Sequence, residues 1–408
     1  MNPTSPPVPE SALPGLAVPG SAVAEPAVSE PALIEPGLTE PVVTEPGVPG
    51  QPTIYDVARV AGVSIASVSR VLNGRRNPRP ETRERVLEAV SELGFIPDGA
   101  ARALSARLKE VVGVVIRRPP PVTAPDGSVF EDEELSLQFS DLINRGIEIA
   151  AQRRDFNLLV SSVGLDGHDE ERRIFSLARK CDGLILHDRV LDPARLARLA
   201  RLVPVVTLAG TPTPATVNVG SDNASGMAEL ARHLVRDHGY RTLAYLGGYS
   251  DSPDNLARAA AFASQVRADG ATLLDGPAWR GNYFAAGGAR VIERMLAARQ
   301  PLPRAIACAN DQSALGVVYA LTQHGIAIPG EVAVAGFDDI PMARHLRPQL
   351  TTVRQPIQEL GATAFEVLHA LIGEDRADRA DVMLPTRLIR RESCGCPSGA
   401  GPLARAAG

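Results

Sequence analysis

The stretch GVSIASVSRVLNG, residues 62–74, places small hydroxyl, apolar and cationic side chains close together on a short predicted helix. Its hydroxyls can donate hydrogen bonds to phosphate oxygens, and a helix N-terminus attracts the same anions. Its apolar residues Ile65 and Ala66 can contact thymine methyl groups, and Arg70 can bind guanine through two hydrogen bonds. The hydroxyl residues are Ser64, Ser67 and Ser69. Alternatively, the serines are only helix caps and Arg70 only faces solvent.

Two further helices are predicted around this stretch. Thr53 and Asp56 form a capping-box pattern at the start of the first helix, and Gly62 ends it. Ser64 can cap the second helix, and ETRERVLEAVSELGF predicts a third. The expected inward-facing residues are Ile54, Val57, Ala58, Ala61, Val68, Val71, Leu72, Val86, Ala89, Val90 and Leu93. Because a tight glycine turn joins the first two helices, the pattern favours a helix-turn-helix domain.

Charge is distributed unevenly along the chain. Residues 1–52 contain six Glu and no Lys, Arg or Asp, and a five-residue Glu-Pro repeat runs through residues 25–49. Since regularly spaced prolines prevent a helix or a regular strand ladder, we expect a disordered tail, either a partner-binding arm or a dispensable extension. Residues 53–110 contain ten Lys or Arg and seven Asp or Glu. This positive segment suits contact with nucleic acid.

The four cysteines do not predict disulfide or metal chemistry. Cys181 and Cys308 lie in apolar runs and are expected to be buried free thiols. Cys394 and Cys396 are too close in sequence for an unstrained mutual disulfide, and no His or Cys partner stands at metal-ligand spacing. We therefore predict no metal, no cofactor and a reducing, cytoplasmic setting. No apolar run approaches the ~20 residues of a membrane span, and the N-terminus lacks the basic region of a signal peptide.

From Val111 onward, short apolar runs alternate with amphipathic stretches. Runs such as VVGVVI, DGLILH and VPVVTL are typical of strands buried on both faces, and INRGIEIAAQRR is typical of a helix between them. The alternation predicts a parallel, doubly wound α/β core, and residues 111–393 are long enough for two such subdomains. The segment 117–135, rich in Pro and acidic residues, is expected to form a loop.

Three longer motifs carry a family resemblance. They are TIYDVARVAGVSIASVSRVLNG, ETRERVLEAVSELGFIPDGAARALSA and VAVAGFDDIPMARHLRPQLTTVRQP. The chain resembles the lactose-repressor (LacI) family of bacterial transcription regulators from Thr53 to about Glu392. The resemblance implies a three-helix helix-turn-helix domain and a hinge helix. These precede a periplasmic-binding-protein-like core of two doubly wound parallel-sheet subdomains.

The resemblance assigns roles in DNA binding. Ile65, Ala66 and Arg70 would contact bases, and the segment DGAARALSA, residues 98–106, would be the hinge helix. In this family the hinge helix folds when a dimer meets its operator, and a leucine enters the minor groove. Ala101 and Leu104 are the candidate minor-groove residues, and an apolar wedge of this kind bends the duplex. An ordinary linker helix is the alternative. The candidate phosphate contacts are Tyr55, Ser64, Ser67, Ser69 and Asn73.

One position departs from the family pattern. The family usually has a Val-Ser pair immediately before PETR, whereas this chain has Pro78 and Arg79. The third helix therefore lacks a serine N-cap. Arg79 could contact a phosphate instead.

The same resemblance places a small-molecule site in the cleft between the two core subdomains. Asp311 matches an acid that accepts hydrogen bonds from ligand hydroxyls, and Arg258 matches an arginine that binds the ligand. Tyr283 falls where an aromatic platform often lies, although Trp279 could take that role. A sugar needs charged groups for its hydroxyls and a flat apolar face for its C–H surface. Alternatively, Asp311 caps a helix, Arg258 faces solvent and Tyr283 belongs to the core.

The sequence therefore favours a homodimeric repressor of carbohydrate-related genes. Its affinity for a palindromic double-stranded DNA operator is expected to depend on a small-molecule effector, a sugar. A transport sugar-binding protein would explain the core but requires a signal peptide and no basic helices. An enzyme is disfavoured, because no nucleophile elbow, phosphate loop, zinc signature or dinucleotide fingerprint is present. We expect a cytoplasmic, nucleoid-associated protein with no membrane partner.

Domain boundaries follow from these patterns. The predicted segments are a tail at 1–52, a helix-turn-helix domain at 53–97, a hinge helix and linker at 98–110, a core at 111–393 and a flexible tail at 394–408. Within the core, residues 111–221 and 336–355 are assigned to one subdomain, and residues 222–335 and 356–393 to the other.

Overall fold

The computed structural model describes residues 52–72, 78–95, 108–117, 138–164, 170–373 and 380–397. Among these, residues 52–68 and 78–95 form one compact unit, and residues 69–72 with those from 108 onward form a second. Several predictions lie outside the described residues. They concern the tail up to residue 51, Asn73, Ala101, Leu104, the loop from residue 118 to 135 and the C-terminal residues 398–408.

The first unit is built on helices whose ends follow local sequence signals. The helices are α1 (Ile54–Ala61), α2 (Ile65–Leu72) and α3 (Pro80–Leu93). At the start of α1, the backbone N–H of Asp56 donates to Thr53 Oγ1, and the N–H of Thr53 donates to the Asp56 carboxylate. Gly62 ends α1 with φ 62° and ψ 39°, a conformation in which glycine is favoured. The predicted capping box and glycine turn are confirmed.

Helices α2 and α3 begin differently. The Ser64 hydroxyl accepts a hydrogen bond of 3.2 Å from the N–H of Ser67, so Ser64 lies at the start of α2. Helix α3 has Pro80 in its first turn, and Arg79 makes no side-chain capping bond, as its sequence predicts. The buried apolar side chains of the three helices are Val57, Ala58, Ala61, Val68, Val71, Val86 and Ala89. Helix α1 packs against α3.

The second unit contains two six-stranded sheets flanked by helices. The strands are β1 (Val111–Arg117), β2 (Asn157–Val163), β3 (Gly183–His187), β4 (Val205–Leu208), β5 (Val217–Ser221), β6 (Thr242–Leu246), β7 (Thr272–Leu274), β8 (Ala305–Cys308), β9 (Ala333–Asp338), β10 (Thr351–Arg354), β11 (Val382–Leu384) and β12 (Arg387–Ile389). The helices are α4 (Gln138–Gln152), α5 (Glu170–Ala178), α6 (Pro193–Ala200), α7 (Asn223–Arg232), α8 (Pro253–Ala268), α9 (Ala285–Ala297), α10 (Asp311–Gln323) and α11 (Ile357–Ile372). A π-helical turn, His233–Asp237, continues α7, and short 3-10 helices cover Pro277–Trp279, Pro341–Arg344 and Glu392–Cys394.

Strand order divides the second unit into two subdomains. The first sheet has the order β11-β5-β4-β3-β1-β2, and all of its pairs are parallel. The second sheet has the order β12-β10-β9-β8-β6-β7, and only β12 pairs in the antiparallel sense. The apolar runs that predicted parallel strands are buried, since β3, β4, β5, β8 and β9 are almost entirely inaccessible. The predicted doubly wound core is confirmed.

The exchange of segments between the subdomains differs from the prediction. Residues 336–355 were assigned to the first subdomain, but β9 and β10 run parallel beside β8 in the second sheet. Residues 356–393 were assigned to the second, but α11 packs on α4 and on β3, β4 and β5, and β11 pairs with β5. The boundary prediction is wrong at these points because an apolar run does not show which of two similar sheets receives it. None of the described helices is long and apolar enough to cross a membrane.

Candidate functional site

A cavity of about 190 Å³ is lined by residues of both subdomains. Arg117 and His187 are the last residues of β1 and β3, and Asp338 is the last residue of β9. Asn310 follows β8 and also lines the cavity. The carboxyl ends of the parallel strands in both sheets therefore face the same cleft. In open α/β sheets this is where ligands bind.

Arg258 is a buried cation at the floor of the cleft, with 3% of its surface exposed. Its Nε donates to Asn223 Oδ1 at 2.7 Å, its Nη1 to the Ala309 carbonyl at 2.8 Å and its Nη2 to Asp254 Oδ2 at 3.1 Å. The guanidinium carbon lies 3.7 Å from the centre of the Phe337 ring. Burial raises the pKa of Asp254, and the charge of Arg258 opposes that rise. These contacts hold Arg258 rigidly, so it is not a solvent-facing helix residue.

Aromatic side chains form one wall of the cleft. We call Tyr249, Tyr283 and Phe284 the aromatic wall; the Tyr249 ring meets the other two edge-on at 5.8 and 6.2 Å. The Tyr283 ring lies so close to Gly248 that a Cβ there would be 2.3 Å from Tyr283 Cζ, which explains glycine at this position. Trp279, the alternative platform, is buried in the core and does not line the cavity. The structure therefore places Tyr283, not Trp279, at the cleft.

Asp311 lies behind the cleft, not on its wall. It is fully buried, its Oδ1 accepts from the Thr352 hydroxyl at 2.6 Å and its Oδ2 accepts from the Ile340 N–H at 3.0 Å. Both carboxylate oxygens are therefore already engaged within the protein. Asn310, not Asp311, is the N-cap of α10. The two neighbours of Asp311 in sequence, Asn310 and Gln312, line the cavity. The structure gives Asp311 a positioning role toward β10 and the turn after β9.

The sequence analysis missed three residues that line the cavity and carry buried polar atoms. Arg117 Nε, His187 Nε2 and Gln312 Nε2 have almost no accessible surface and no hydrogen-bond partner among the described residues. Burial lowers the pKa of His187 to about 4, so its ring is neutral at physiological pH. Buried polar atoms without partners are uncommon, because each one loses its bonds to water. Arg117 and His187 end strands, whereas Gln312 lies in the first turn of α10, so no shared sequence signal marks the three residues.

One set of contacts joins the two subdomains across the cleft mouth. Arg189, after β3, donates to Asp251 Oδ1 at 2.7 Å and stacks 4.3 Å over the Tyr249 ring, and both partners belong to the second subdomain. We call Arg189, Asp251 and Tyr249 the cleft clamp. Arg189 also donates to Asp188 at 2.9 Å. Burial raises the pKa of Asp188 to about 7, and Arg189 limits that rise. The sequence analysis did not predict these residues.

In the helical unit, α2 presents its predicted DNA-contacting side chains to solvent. Ile65 is 41% exposed although it is a large apolar residue, whereas Val68 and Val71 on the opposite face are buried. On α1, Tyr55 is 68% exposed. The other exposed or partly exposed candidates are Ser64, Ala66, Ser67, Ser69 and Arg70. The helix therefore has a buried apolar face and an accessible face of mixed chemistry.

The cysteines require one correction. Cys181 and Cys308 are buried free thiols, as predicted. The expectation that Cys394 and Cys396 lack metal-binding partners is wrong, because His233 and His238 contribute ring nitrogens within 4.8 Å of their sulfurs. Roughly 160 residues separate the two pairs in sequence, so sequence spacing could not reveal the cluster. Cys394 and Cys396 also lie within the folded second subdomain, not in a tail.

Together, a helix-turn-helix module and an α/β body with a polar interdomain cleft define a ligand-responsive DNA-binding regulator. Residues 53–98 match the model for bacterial regulatory proteins of the lacI family, and residues 231–394 match that for a periplasmic binding protein-like domain. Over 346 residues the chain is 31% identical to catabolite control protein A of Priestia megaterium, covering 84% of this chain and 98% of that protein.

Solved structures agree with this assignment. The crystal structure of the Lac repressor dimer bound to operator and the anti-inducer ONPF aligns with a TM-score of 0.73 and 27% identity, covering 84% of this chain and 99% of that chain. A complex of the transcriptional regulator CelR with cellobiose aligns with a TM-score of 0.59 and 27% identity, covering 84% of this chain and 100% of that chain. The chain belongs to the LacI family, whose members are transcription regulators and not enzymes.

Proposed function

We propose that this protein is a homodimeric repressor that binds a palindromic DNA operator, and that a sugar in the interdomain cleft sets its operator affinity. The observation that carries the proposal is the interdomain cavity, which combines an aromatic wall with polar and charged side chains from both subdomains. We infer that this regulator responds to a small-molecule effector, because the cavity has polar and aromatic side chains that suit such a ligand.

The DNA side of the proposal rests on the accessible face of α2. Ile65 and Ala66 contact thymine methyl groups, and Arg70 pairs with guanine in the major groove. Both apolar residues are exposed, which is consistent with burial against DNA. The proposed phosphate contacts are Tyr55, Ser64, Ser67, Ser69 and Asn73. Ala101 and Leu104 are proposed to enter the minor groove at the centre of the operator, as in the family.

The ligand side of the proposal rests on complementary chemistry in the cleft. The aromatic wall offers a flat surface for sugar C–H groups, while the neutral His187 ring and the Gln312 amide offer hydrogen bonds to hydroxyls. Arg258 adds a charged group at the floor, which strengthens bonds to hydroxyls, and the carboxyl group of Asp338 can also bond to them. We propose that Tyr283 and Arg258 contact the sugar and that Asp311 supports the site from behind. The cellobiose complex of CelR is a structural precedent for a sugar ligand.

Dimerisation is supported by an exposed sheet edge. Strand β2 is the outer strand of the first sheet, and it exposes Leu159 at 38% and Val160 at 50%. An unpaired edge with exposed apolar side chains favours association with another chain. A two-fold dimer presents two α2 helices, which matches a palindromic operator. The Lac repressor structure in the comparison is itself a dimer on its operator.

Selection of bound duplexes from a random pool tests the DNA side, using the full chain with and without a panel of mono- and disaccharides. We expect enrichment of a palindrome whose half-sites contain thymines and a guanine. Arg70→Ala should abolish the preference for that guanine, whereas Arg83→Ala on α3 should leave the consensus unchanged. No enrichment over random duplex under any condition would contradict the proposal.

A further inference from the structure

Four soft metal-ligating side chains meet in the second subdomain, away from the cleft. His233 Nε2 lies 3.5 Å from both Cys394 Sγ and Cys396 Sγ, and His238 Nε2 lies 3.5 Å from Cys396 Sγ. The two Nε2 atoms are 3.1 Å apart. All four ligating atoms lie within 4.8 Å of one another. His233 and Cys394 are buried, and the other two residues are partly buried.

Four of these distances match edges of a zinc coordination tetrahedron. With zinc–sulfur bonds of about 2.3 Å and zinc–nitrogen bonds of about 2.0–2.1 Å, tetrahedral geometry places sulfur and nitrogen about 3.6 Å apart, and two nitrogens about 3.3 Å apart. The observed 3.5 and 3.1 Å lie close to these values. Two imidazoles and two thiolates are a donor set that zinc binds in structural sites.

Neighbouring groups orient the ligands for coordination. His233 Nδ1 lies 2.8 Å from Asp237 Oδ2, so the Nδ1–H group donates a hydrogen bond to the carboxylate and leaves the Nε2 lone pair facing the sulfurs. Zinc-binding histidines commonly have such a carboxylate partner. Tyr240 stacks on the His238 ring, and its hydroxyl donates to the Cys394 carbonyl at 2.8 Å.

The backbone brings each pair of ligands together. The π-helical turn His233–Asp237 allows the His238 N–H to donate to the His233 carbonyl, and the two rings lie 4.6 Å apart. π-helical turns are frequent at functional sites. Gly395, at φ 101°, separates the cysteines and allows both sulfurs to face the histidines. A non-glycine residue is strained at this φ.

We propose that His233, His238, Cys394 and Cys396 bind one Zn²⁺, which fastens the C-terminal segment after β12 to the end of α7. Four protein ligands leave no open position, so the site is structural. Binding releases the two thiol protons to solvent and leaves two thiolates on the metal. The zinc site holds the segment after β12 against the end of α7, whether or not a ligand is bound in the cleft.

Metal content of the full chain tests the proposal. The protein is purified without a histidine tag or chelators, incubated with Zn²⁺ and dialysed against metal-free buffer, and zinc is counted by mass spectrometry. We expect one zinc per chain and a fall in Tm when a strong chelator removes it. Co²⁺ in its place should give intense tetrahedral d–d bands and a thiolate-to-cobalt charge-transfer band. Absence of bound zinc together with absence of these bands would overturn the proposal.

Matched variants locate the metal. Cys396→Ser and His238→Gln should each lose the bound zinc and, in the Co²⁺ experiment, the cobalt absorption bands. Cys181→Ser and His324→Gln should retain both the zinc and the cobalt bands. Asp237→Asn keeps all four ligands and should weaken zinc affinity about 10–100-fold, as loss of an outer-shell partner does. Zinc retained unchanged in both ligand variants would overturn the assignment. A Cys394–Cys396 disulfide in protein freshly purified under reducing conditions would also overturn it.

Discussion

At the scale of single residues, burial decides what each polar group in the cleft can do. Burial lowers the pKa of His187 to about 4, so its ring is neutral, and its Nε2 has no hydrogen-bond partner among the described residues. Arg258 stays charged because Asp254 and Asp338 lie close to it. Arg258 was recognised from the family resemblance, whereas His187 and Asp338, at the ends of β3 and β9, carry no local sequence signal for the site.

His187 is expected to contribute directly to sugar affinity. His187→Phe keeps a flat ring but removes the nitrogen, so the ligand hydroxyl that it pairs with loses a hydrogen bond, which costs about 1–3 kcal/mol. Calorimetry with the sugar that gives the largest thermal shift should therefore show Kd rising roughly 5–160-fold. The control His324→Phe, at an exposed position, should bind normally. An unchanged Kd for His187→Phe would show that this nitrogen does not contact the ligand.

Asp188 is expected to make stability depend on pH. Its pKa is about 7 in the folded protein against 3.8 for an ordinary Asp, so between these values the folded state retains a proton that the unfolded chain releases. The contribution of Asp188 to the free energy of unfolding therefore falls as pH rises from about 4 to about 7, by at most about 1.4 kcal/mol per pH unit. Above that range it is constant.

Urea unfolding at pH 5, 6, 7, 8 and 9 measures this effect. The wild-type free energy of unfolding should fall more steeply from pH 5 to pH 7 than that of Asp188→Asn, and the two curves should run parallel above pH 8. If both proteins show the same slope throughout, the group that titrates is not Asp188.

At the scale of elements, helix ends and strand ends place the functional groups. The capping box at Thr53, the left-handed Gly62 and the Ser64 cap fix the start and end of α1 and the start of α2. The residues on the accessible face of α2 therefore follow from local rules. The strands likewise follow from their continuous apolar runs. Both could be predicted from the sequence because each depends on residues a few positions apart.

Features that depend on long-range pairing could not be predicted in this way. The placement of β9, β10 and α11 depends on which of the two six-stranded sheets receives each segment, and an apolar run does not specify that sheet. The cluster of His233, His238, Cys394 and Cys396 joins the end of α7 to a segment that is 163 residues away in sequence between His233 and Cys396. Asp311 was expected on the cleft wall, but its neighbour Asn310 caps α10 and its own side chain turns toward Thr352.

The face of α2 predicts how base preference is divided among its residues. Arg70→Ala should cost about 1–3 kcal/mol at the guanine it contacts and relax the preference at that base pair alone. Tyr55→Phe should instead weaken binding to all sequences by a similar factor, because a phosphate contact carries no base information. Titration of the selected operator and of its single-base variants by fluorescence anisotropy distinguishes the two. Uniform weakening by Arg70→Ala would assign Arg70 to the phosphates.

At the scale of the whole molecule, the cleft clamp links ligand binding to the relative position of the two subdomains. Arg189 contacts Asp251 and Tyr249 across the cleft mouth, so any opening must break these contacts. A sugar that touches both walls would favour the closed state, and a closed state with a different affinity for operator would transmit the signal. We propose that subdomain closure couples the ligand site to operator affinity and that α2 selects the base sequence.

Removing the clamp should shift the cleft toward the open state. Arg189→Ala removes the bonds to Asp188 and Asp251 and the contact with Tyr249, so sugar affinity should fall more than in Asp251→Ala, whose partly exposed ion pair contributes about 0.2–1 kcal/mol. Small-angle scattering without ligand should show a larger radius of gyration for Arg189→Ala. Arg198→Ala, a surface arginine on α6, serves as the control. If Arg189→Ala has the wild-type sugar affinity and the wild-type radius of gyration, the cleft clamp does not stabilise the closed state.

The most direct test of the central claim is a reciprocal titration on the full chain. Operator affinity is measured with and without a saturating concentration of the sugar identified by thermal shift, and sugar affinity is measured with and without operator. The account predicts that the two affinities change by the same factor, because the coupling free energy is shared. Operator affinity that is identical in the presence and absence of bound sugar would contradict the claim that the cleft controls DNA binding.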